Sequence, residues 1–279
     1  MDRCSTVRSG GRIKKKLHVL QLLLLKKKGK YIRMTKALLF DIDDTLYDLA
    51  QPFYRAYEEV FLKEDVVNAD GVYRKSRDAD WMERLFLASR KYSDQIFALA
   101  QEREISEEEM FIYRIRQALA DFGKVISDQK AMEFQKAYET YQLQITLSAT
   151  VRKLLKLCRD RFVLGVITNG LSVHQRNKIK TLRLEAYIPK ENIFVSGEVG
   201  VPKPDPKIFA HALQHLGIAP AQACFIGDSY AHDIVGAKNA GLSAVWFRRR
   251  DALASYGVQP DFTVASESEL YGLIQSQFL

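Results

Sequence analysis

The sequence is poor in cysteine and offers no apolar run long enough to cross a membrane. Its 279 residues include three cysteines, Cys4, Cys158 and Cys224, an odd number at wide spacings. This pattern indicates neither a disulfide framework nor a cysteine-ligated metal site, and it favours the reducing cytoplasm. The apolar stretch from Leu17 to Leu25 is far shorter than the roughly 20 residues of a transmembrane helix. We therefore expect a cytoplasmic protein without a transmembrane segment.

The excess of positive charge is confined to the N-terminal end of the chain. The formal net charge is +8, but residues 1–36 hold twelve Lys and Arg against one Asp, which leaves the remainder at −3. We expect no nucleic-acid partner for this mildly acidic body. Residues 1–35 are interpreted as a basic leader, disordered or mis-assigned, with Met34 as the candidate start. A surface-bound amphipathic anchor is the alternative, and Lys26–Lys28 stand where a signal peptide would have its cleavage site.

Beyond the leader, short apolar runs alternate with helical stretches. Six runs predict strands: KALLFDI, FVLGVITN, NIFVSGEV, CFIGDS, SAVWF and DFTVAS. Their hydrophobicity is continuous rather than alternating, which is typical of strands that are covered on both faces of a parallel sheet. The alternation with helices predicts an α/β fold with a Rossmann-like, doubly wound parallel sheet. With 47% hydrophobic residues, the chain can bury such a core.

A long segment without strand signals interrupts this alternation. Residues 50–146, here called the insert, are rich in aromatic and charged residues at helical spacing. Ser106 with Glu109 predicts a capping box, and Ser127 predicts the cap of the next helix. The sequence therefore predicts an all-α domain at 50–146. It would be inserted into a core domain formed by residues 36–49 and 147–279.

Polar residues follow several of the predicted strands at their carboxyl ends or lie on neighbouring loops. They are Asp41, Asp43, Thr168, Lys203, Asp228 and Asp233. Open parallel sheets bind their ligands at the carboxyl ends of the strands. The sequence therefore predicts that these side chains meet at one edge of the sheet.

These stretches resemble the four motifs of the haloacid dehalogenase (HAD) superfamily, in the same order. The matching residues are Asp41-Ile42-Asp43-Asp44-Thr45, Thr168, Lys203, and Gly227-Asp228-Ser229 with Asp233. The resemblance covers residues 37 to about 250, and the insert resembles the helical C1-type cap of subfamily I. It implies the HAD fold and a phosphoric monoester hydrolase, similar to the nucleotidase-like and uncharacterised small-molecule phosphatases.

The resemblance also implies a role for each acid. Asp41 is the expected nucleophile, which would form an aspartyl-phosphate, and Asp43 is the expected general acid and later base. We expect a raised pKa for Asp43, because a carboxylic acid among carboxylates tends to hold its proton. Mg²⁺ is the expected cofactor, held by Asp41, Asp228 and the backbone carbonyl of Asp43. Asp233 is expected to anchor a metal-bound water or Lys203.

The remaining motif residues are expected to bind the phosphoryl group. Lys203 would hold both the nucleophile and a phosphate oxygen, and the Thr168 hydroxyl and the amides of Asn169 and Gly170 would donate hydrogen bonds. The presence of Asp43 favours phosphate-ester hydrolysis over dehalogenation. The expected substrate is a small phosphorylated metabolite, a nucleoside monophosphate or a sugar phosphate. A phosphomutase and a catalytically silent binding subunit are the alternatives, and the protein is expected to be a monomer or a homodimer.

Several other polar and aromatic residues receive structural interpretations from the sequence. Asp44 is expected to cap the turn after the first strand, Thr45 to brace the loop around Asp43, and Asp205 to cap a helix. Arg248–Arg250 are expected on a solvated turn, with contact to an anionic substrate tail as the alternative. Candidates in the insert for contact with an acidic or aromatic substrate are Phe53, Tyr54, Arg55, Tyr57, Arg74, Arg77, Arg90, Lys91 and Arg114.

Overall fold

A single six-stranded parallel sheet forms the centre of the protein. The computed structural model describes residues 34–62, 79–101, 104–250 and 257–279, so the basic leader up to residue 33, Arg74 and Arg77 lie outside the described residues. The strands are β1 (Ala37–Phe40), β2 (Val163–Thr168), β3 (Ile193–Val195), β4 (Ala223–Gly227), β5 (Ser243–Phe247) and β6 (Phe262–Val264). Their order is β3-β2-β1-β4-β5-β6, with every neighbouring pair parallel. The predicted doubly wound sheet and all six predicted strands are confirmed.

Burial on both faces explains why the strands are continuously apolar. In the central strand β1, Leu38 and Phe40 belong to the hydrophobic cluster on one side of the sheet. Ala37 and Leu39 belong to the cluster on the other side. Because side chains alternate along a strand, a strand covered on both faces must be apolar at every position.

Helices cover the sheet and form the insert. Those of the insert are α1 (Ala50–Tyr57), α2 (Ala79–Gln101), α3 (Glu107–Ala120) and α4 (Asp128–Gln142). Those that follow are α5 (Ala149–Arg159), α6 (Ser172–Thr181), α7 (Ser196–Val199), α8 (Pro206–Leu216), α9 (Val235–Asn239) and α10 (Glu267–Leu273). None of the described helices combines the length and the apolar character that a membrane crossing requires.

The described elements of the insert are all helices, joined by turns, and include no strand, as predicted. Ser106 and Glu109 form the capping box of α3, and Ser127 caps α4 through the Lys130 amide. An aromatic cluster joins three of the four helices: the ring of Phe53 lies 5.4 Å from that of Phe86 and 5.1 Å from that of Phe134. The domain limits at residues 50 and 146 remain a prediction.

The strand order places the functional edge of the sheet. The chain leaves β1 toward β2 and β3 on one side and returns to β4, β5 and β6 on the other. The topological switch point therefore lies between β1 and β4, whose carboxyl ends lead into Asp41 and Asp228. Crevices at such a point are the usual ligand sites of doubly wound sheets.

Candidate active site

A buried lysine joins two carboxylates at this edge. Nζ of Lys203 donates hydrogen bonds of 2.7 Å to Oδ1 of Asp41 and 2.7 Å to Oδ1 of Asp233. All three residues are at most 5% exposed. Burial opposes the charge of Lys203, but Asp233 and Asp41 outweigh it and raise the pKa of the lysine. Residues that are far apart in sequence therefore form one charged cluster, as predicted.

Asp41, Asp228 and Asp233 offer a set of oxygen atoms suited to a divalent cation. One carboxylate oxygen from each lies within 4.8 Å of the others. Burial raises the pKa of Asp41 to about 6 against the opposing effect of Lys203, and Asp233 and Asp43 contribute to the rise. Desolvation, Asp233 and Asp44 raise the pKa of Asp228. Crowded carboxylates of this kind fit Mg²⁺, which prefers hard oxygen ligands and would relieve their repulsion.

The carboxylate of Asp43 is bound by three neighbours. Nζ of Lys178 lies 2.9 Å from each of its oxygens, the hydroxyl of Tyr47 donates to Oδ1 at 2.6 Å, and Nε2 of Gln175 donates to Oδ2 at 3.0 Å. Burial favours the neutral acid, but Lys178, Arg90 and these hydrogen bonds outweigh it and lower the pKa of Asp43 to about 2. The expectation of a raised pKa for Asp43 is therefore wrong for this structure, because a cation faces this carboxylate.

The groups expected around the phosphoryl site differ in whether they already have a hydrogen-bond partner in the protein. Oγ1 of Thr168 is buried and has no hydrogen-bond partner among the described residues, as a group awaiting a ligand would be. The amide of Gly170 instead donates to Oγ of Ser196 at 3.1 Å, so the expectation that it is free for phosphate is wrong here. The side chain of Asn169 exchanges hydrogen bonds of 2.8 and 2.9 Å with the backbone of Lys203 and so fixes the lysine loop.

Close packing explains the glycine before Asp228. A Cβ atom on Gly227 would lie 2.3 Å from Oδ2 of Asp233, which no side chain could tolerate. The same Oδ2 accepts a hydrogen bond of 2.9 Å from the amide of Ser229. The glycine therefore allows Asp233 to lie directly behind the end of β4 while its other oxygen faces Lys203.

The insert encloses this cluster in a cavity of about 290 Å³. Asp41, Asp43, Lys203 and the other groups of the sheet edge form one wall. Side chains from three helices of the insert form the opposite wall: Arg90, Ser93, Asp94, Phe97, Met110, Phe111, Arg114, Gln135, Tyr138 and Gln142. A cavity of this size accommodates a small metabolite rather than a macromolecular chain.

The comparison with known families agrees with this geometry. A family model described as haloacid dehalogenase-like hydrolase matches residues 35–241 of the chain. The chain belongs to the haloacid dehalogenase-like hydrolases.

Two relatives of this HAD-like hydrolase match over most of the chain. A phosphoserine phosphatase of Thermus thermophilus is 29% identical over 259 residues, which cover 88% of this chain and 98% of the relative. A glyceraldehyde 3-phosphate phosphatase of Pyrococcus furiosus is 28% identical over 217 residues, which cover 78% and 82%. Among solved structures, the HAD-hydrolase YfnB of Bacillus subtilis, solved with bound magnesium, superposes with a TM-score of 0.63 at 21% identity, covering 86% of this chain and 98% of that one.

Lys178, Gln175 and Tyr47 were not among the site residues predicted from the sequence of the HAD-like hydrolase. Gln175 and Lys178 lie three residues apart on α6, so they share one face of that helix. Both are buried although α6 contains few apolar residues. A polar pair at this spacing, directly after the strand that ends in Thr168, is the signal that could have identified them.

Most candidates in the insert do not reach the cavity. Phe53 and Tyr57 are buried in the hydrophobic core, and the hydroxyl of Tyr54 donates a hydrogen bond to Glu83. Arg55 donates to Gln144, and Lys91 is exposed. Of the described candidates, Arg90 and Arg114 are the ones that line this cavity.

The three arginines after β5 differ in their environments. Arg248 is exposed, as the solvated turn predicts. Arg250 instead forms ion pairs with Asp44, Asp48 and Glu83, and Arg249 donates hydrogen bonds to the carbonyl of Asp44 and to Glu267. Because Glu83 belongs to α2, Arg250 links the insert to the motif loop after β1. The interpretation as a solvated turn is therefore corrected for Arg249 and Arg250.

Two smaller expectations about acids in loops are confirmed. Oδ1 of Asp44 accepts a hydrogen bond of 3.0 Å from the amide of Leu49, which closes the turn after β1, and Asp205 caps α8 through the amide of Lys207. Thr45, which was expected to brace the loop around Asp43, donates from its hydroxyl to Oδ1 of Asp228 at 3.5 Å and so links that loop to the end of β4.

Proposed function

We propose that this HAD-like hydrolase is a Mg²⁺-dependent phosphatase that acts on a small phosphorylated metabolite through an aspartyl-phosphate on Asp41. The observation that carries the proposal is the cluster of buried Asp41, Lys203 and Asp233 with the half-buried Asp228, beside the Thr168 hydroxyl, which has no partner among the described residues. The named activities of the relatives, both phosphatases of small phosphate esters, support the same reaction class. A nucleoside monophosphate or a sugar phosphate is the proposed substrate type.

In the first step, an Oδ atom of Asp41 attacks phosphorus and the bond to the ester oxygen breaks. The departing oxygen keeps the electron pair and receives a proton from Asp43. Lys203, already bound to Asp41, balances negative charge beside the nucleophile, and Thr168 donates to a phosphoryl oxygen. Asp43 must therefore gain a proton once substrate is bound; the negative charge of the phosphate next to it favours this.

In the second step, water attacks phosphorus and the bond to Asp41 breaks. Asp43 accepts the proton of that water, and inorganic phosphate leaves. Asp41, Asp228 and the backbone carbonyl of Asp43 would hold Mg²⁺. Asp233 would anchor a water molecule bound to the cation, or Lys203. When bound, the cation supplies charge neutralisation at the phosphoryl oxygens.

Removal of divalent metal is expected to abolish hydrolysis reversibly. Without a cation, the carboxylates of Asp41 and Asp228 repel an incoming phosphate dianion. We expect the rate on p-nitrophenyl phosphate to fall by roughly 100-fold or more in EDTA, and to return when excess Mg²⁺ is added. Release of nitrophenol and inorganic phosphate in equal amounts would also separate hydrolysis from phosphomutase activity. Full activity in EDTA after exhaustive dialysis would contradict the metal requirement.

Lys178 is expected to place the carboxylate of Asp43 for proton transfer. Its removal leaves that buried carboxylate without its main cation, so the pKa of Asp43 should rise. In Lys178→Met, we expect kcat to fall roughly 10- to 100-fold, since general acid–base catalysis contributes on this scale. The acidic limb of the profile of kcat against pH should move to higher pH, because Asp43 then loses its proton and becomes a base only at a higher pH.

Lys180→Met provides the matched control for this prediction. Lys180 lies on the same helix two residues further and is exposed, so its loss should change neither kcat nor the pH profile. If Lys178→Met lowered the melting temperature but left the pH profile unchanged, Lys178 would have a structural role only.

A further inference from the structure

Two arginines of the insert line the cavity that holds the proposed catalytic groups. Arg90 lies on α2 and Arg114 on α3, and both border the same enclosed space as Asp41 and Lys203. Both are half-buried. A cation that is removed from water normally has an acid in contact with it, because an unpaired buried charge is unfavourable.

Arg114 forms no ion pair with any of the residues that the structure describes. One of its nitrogens donates to Oε1 of Gln135 at 2.5 Å, and this partner is a neutral amide. Glu139 lies on the other side of that amide, where its Oε1 accepts a hydrogen bond of 2.6 Å from Nε2 of Gln135. A guanidinium carries five N–H donors, so Gln135 satisfies only part of its hydrogen-bonding capacity.

The next arginine along the same helix shows the usual arrangement. Arg116 forms an ion pair with Asp128, and its side chain is 42% exposed. Arg116 thus has a carboxylate partner, whereas the arginine that lines the cavity has none among the described residues. This contrast indicates that the missing partner of Arg114 is a bound molecule.

The two cavity arginines experience different charges. Burial opposes the charge of Arg90, but Asp94 on its own helix, Asp43 and Asp228 outweigh it and raise the pKa of this arginine. Burial lowers the pKa of Arg114; Tyr138 and Glu139 oppose this, whereas Arg90 lowers it further. The carboxylates of the proposed catalytic end thus act on Arg90, and Arg114 is the cavity arginine whose charge is less well balanced.

Resting on the proposed function, we propose that Arg114, supported by Arg90, binds a second anionic group of the substrate. The preferred substrates would be small phosphate monoesters that also carry a carboxylate or a second phosphate. A guanidinium binds either anion through two parallel hydrogen bonds, which gives both affinity and orientation. This favours a phosphorylated sugar acid, a phosphorylated hydroxy acid or a sugar bisphosphate over a neutral sugar phosphate.

Matched pairs of substrates test the inference on the full-length protein with Mg²⁺. 3-Phosphoglycerate and glycerol 3-phosphate differ in a carboxylate, as do phosphoserine and phosphoethanolamine; fructose 1,6-bisphosphate and fructose 6-phosphate differ in a phosphate. We expect the wild type to prefer the doubly anionic member of at least one pair by roughly tenfold or more in kcat/KM. In Arg114→Gln, kcat/KM for the doubly anionic member should fall by about 10- to 100-fold, the range for a charged hydrogen-bonded contact, and the preference should be lost. The carboxylate and bisphosphate pairs show which anion the site selects.

Two control variants separate recognition from folding. Arg114→Lys should retain part of the preference, and Arg116→Gln should retain all of it. Hydrolysis of p-nitrophenyl phosphate, which has no second anion, should fall much less in Arg114→Gln than hydrolysis of the doubly anionic esters. Equal or better turnover of the singly charged member in every pair would overturn this inference and leave the proposed phosphatase intact. An equal loss on all esters in Arg114→Gln would also overturn it. Absence of any Mg²⁺-dependent hydrolysis would instead overturn the proposed function and the inference with it.

Discussion

Asp41→Asn is expected to reduce phosphate-ester hydrolysis by roughly 10⁴-fold or more, because an amide cannot form the acyl-phosphate bond that the reaction requires. The substitution is nearly isosteric, and Asn can still accept the hydrogen bond from Lys203 through its carbonyl oxygen. Folding should therefore persist, with a melting temperature that changes far less than the rate. The measurement is single-turnover hydrolysis of p-nitrophenyl phosphate, with intact-mass analysis after an acid quench.

Asp43→Asn distinguishes the nucleophile from the proton carrier. In this variant, Asp41 can still attack an ester with a good leaving group, but no carboxylate is present to activate water. We expect the quenched protein to carry one added phosphoryl group, located on the peptide that contains Asp41. Neither the label nor nitrophenol release should appear in Asp41→Asn. A label on another residue, or turnover in Asp41→Asn within tenfold of the wild type, would show that Asp41 is not the nucleophile.

The sequence was sufficient for the sheet and for the residues at its carboxyl edge, since both depend on patterns that are local in the chain. A strand such as β1 must be apolar throughout when two clusters cover it, and this periodicity is visible without a structure. Asp41 and Asp228 come directly after β1 and β4. Because these two strands are parallel neighbours, their carboxyl ends lie side by side.

The sequence could not predict which side chain each charged group contacts in the fold. Asp43 was expected to hold a proton because the nearest acids in sequence are also carboxylates. Its actual neighbour, Lys178, is 135 positions away and reaches it only through the packing of α6 against the sheet. The same reason explains Arg250, which adjoins two other arginines in sequence but lies among Asp44, Asp48 and Glu83 in the fold. Electrostatic environments are set by tertiary contacts, and these are not encoded in any local pattern.

The metal site suggests a second large effect, this time on stability. Desolvation and the neighbouring acids Asp233, Asp44 and Asp41 raise the pKa of Asp228 well above its ordinary value of 3.8. The folded state therefore binds a proton that the unfolded state releases, and the stability of the metal-free protein falls as pH rises above 3.8. The destabilisation grows until the pH exceeds the folded-state pKa of Asp228, unless a cation binds.

Asp228→Asn is accordingly expected to make the metal-free protein more stable while making it insensitive to Mg²⁺. In EDTA at pH 7.5, we expect the melting temperature to rise by about 3–8 °C, which corresponds to about 1–3 kcal/mol for a chain of this size. The gain should shrink toward pH 4, where the wild-type carboxyl group is protonated in the folded state. Saturating Mg²⁺ should stabilise the wild type by mass action and leave Asp228→Asn unchanged. The measurement is thermal unfolding across pH with and without Mg²⁺.

Asp80→Asn serves as the control, because Asp80 is a carboxylate on α2 with a side chain that is 76% exposed. Its removal should leave both the melting temperature and the response to Mg²⁺ close to those of the wild type. A lower melting temperature for Asp228→Asn in EDTA would mean that protein groups already satisfy this carboxylate. The crowded acids would then not require a cation, and the strongest structural reason for a metal at the end of β4 would be lost.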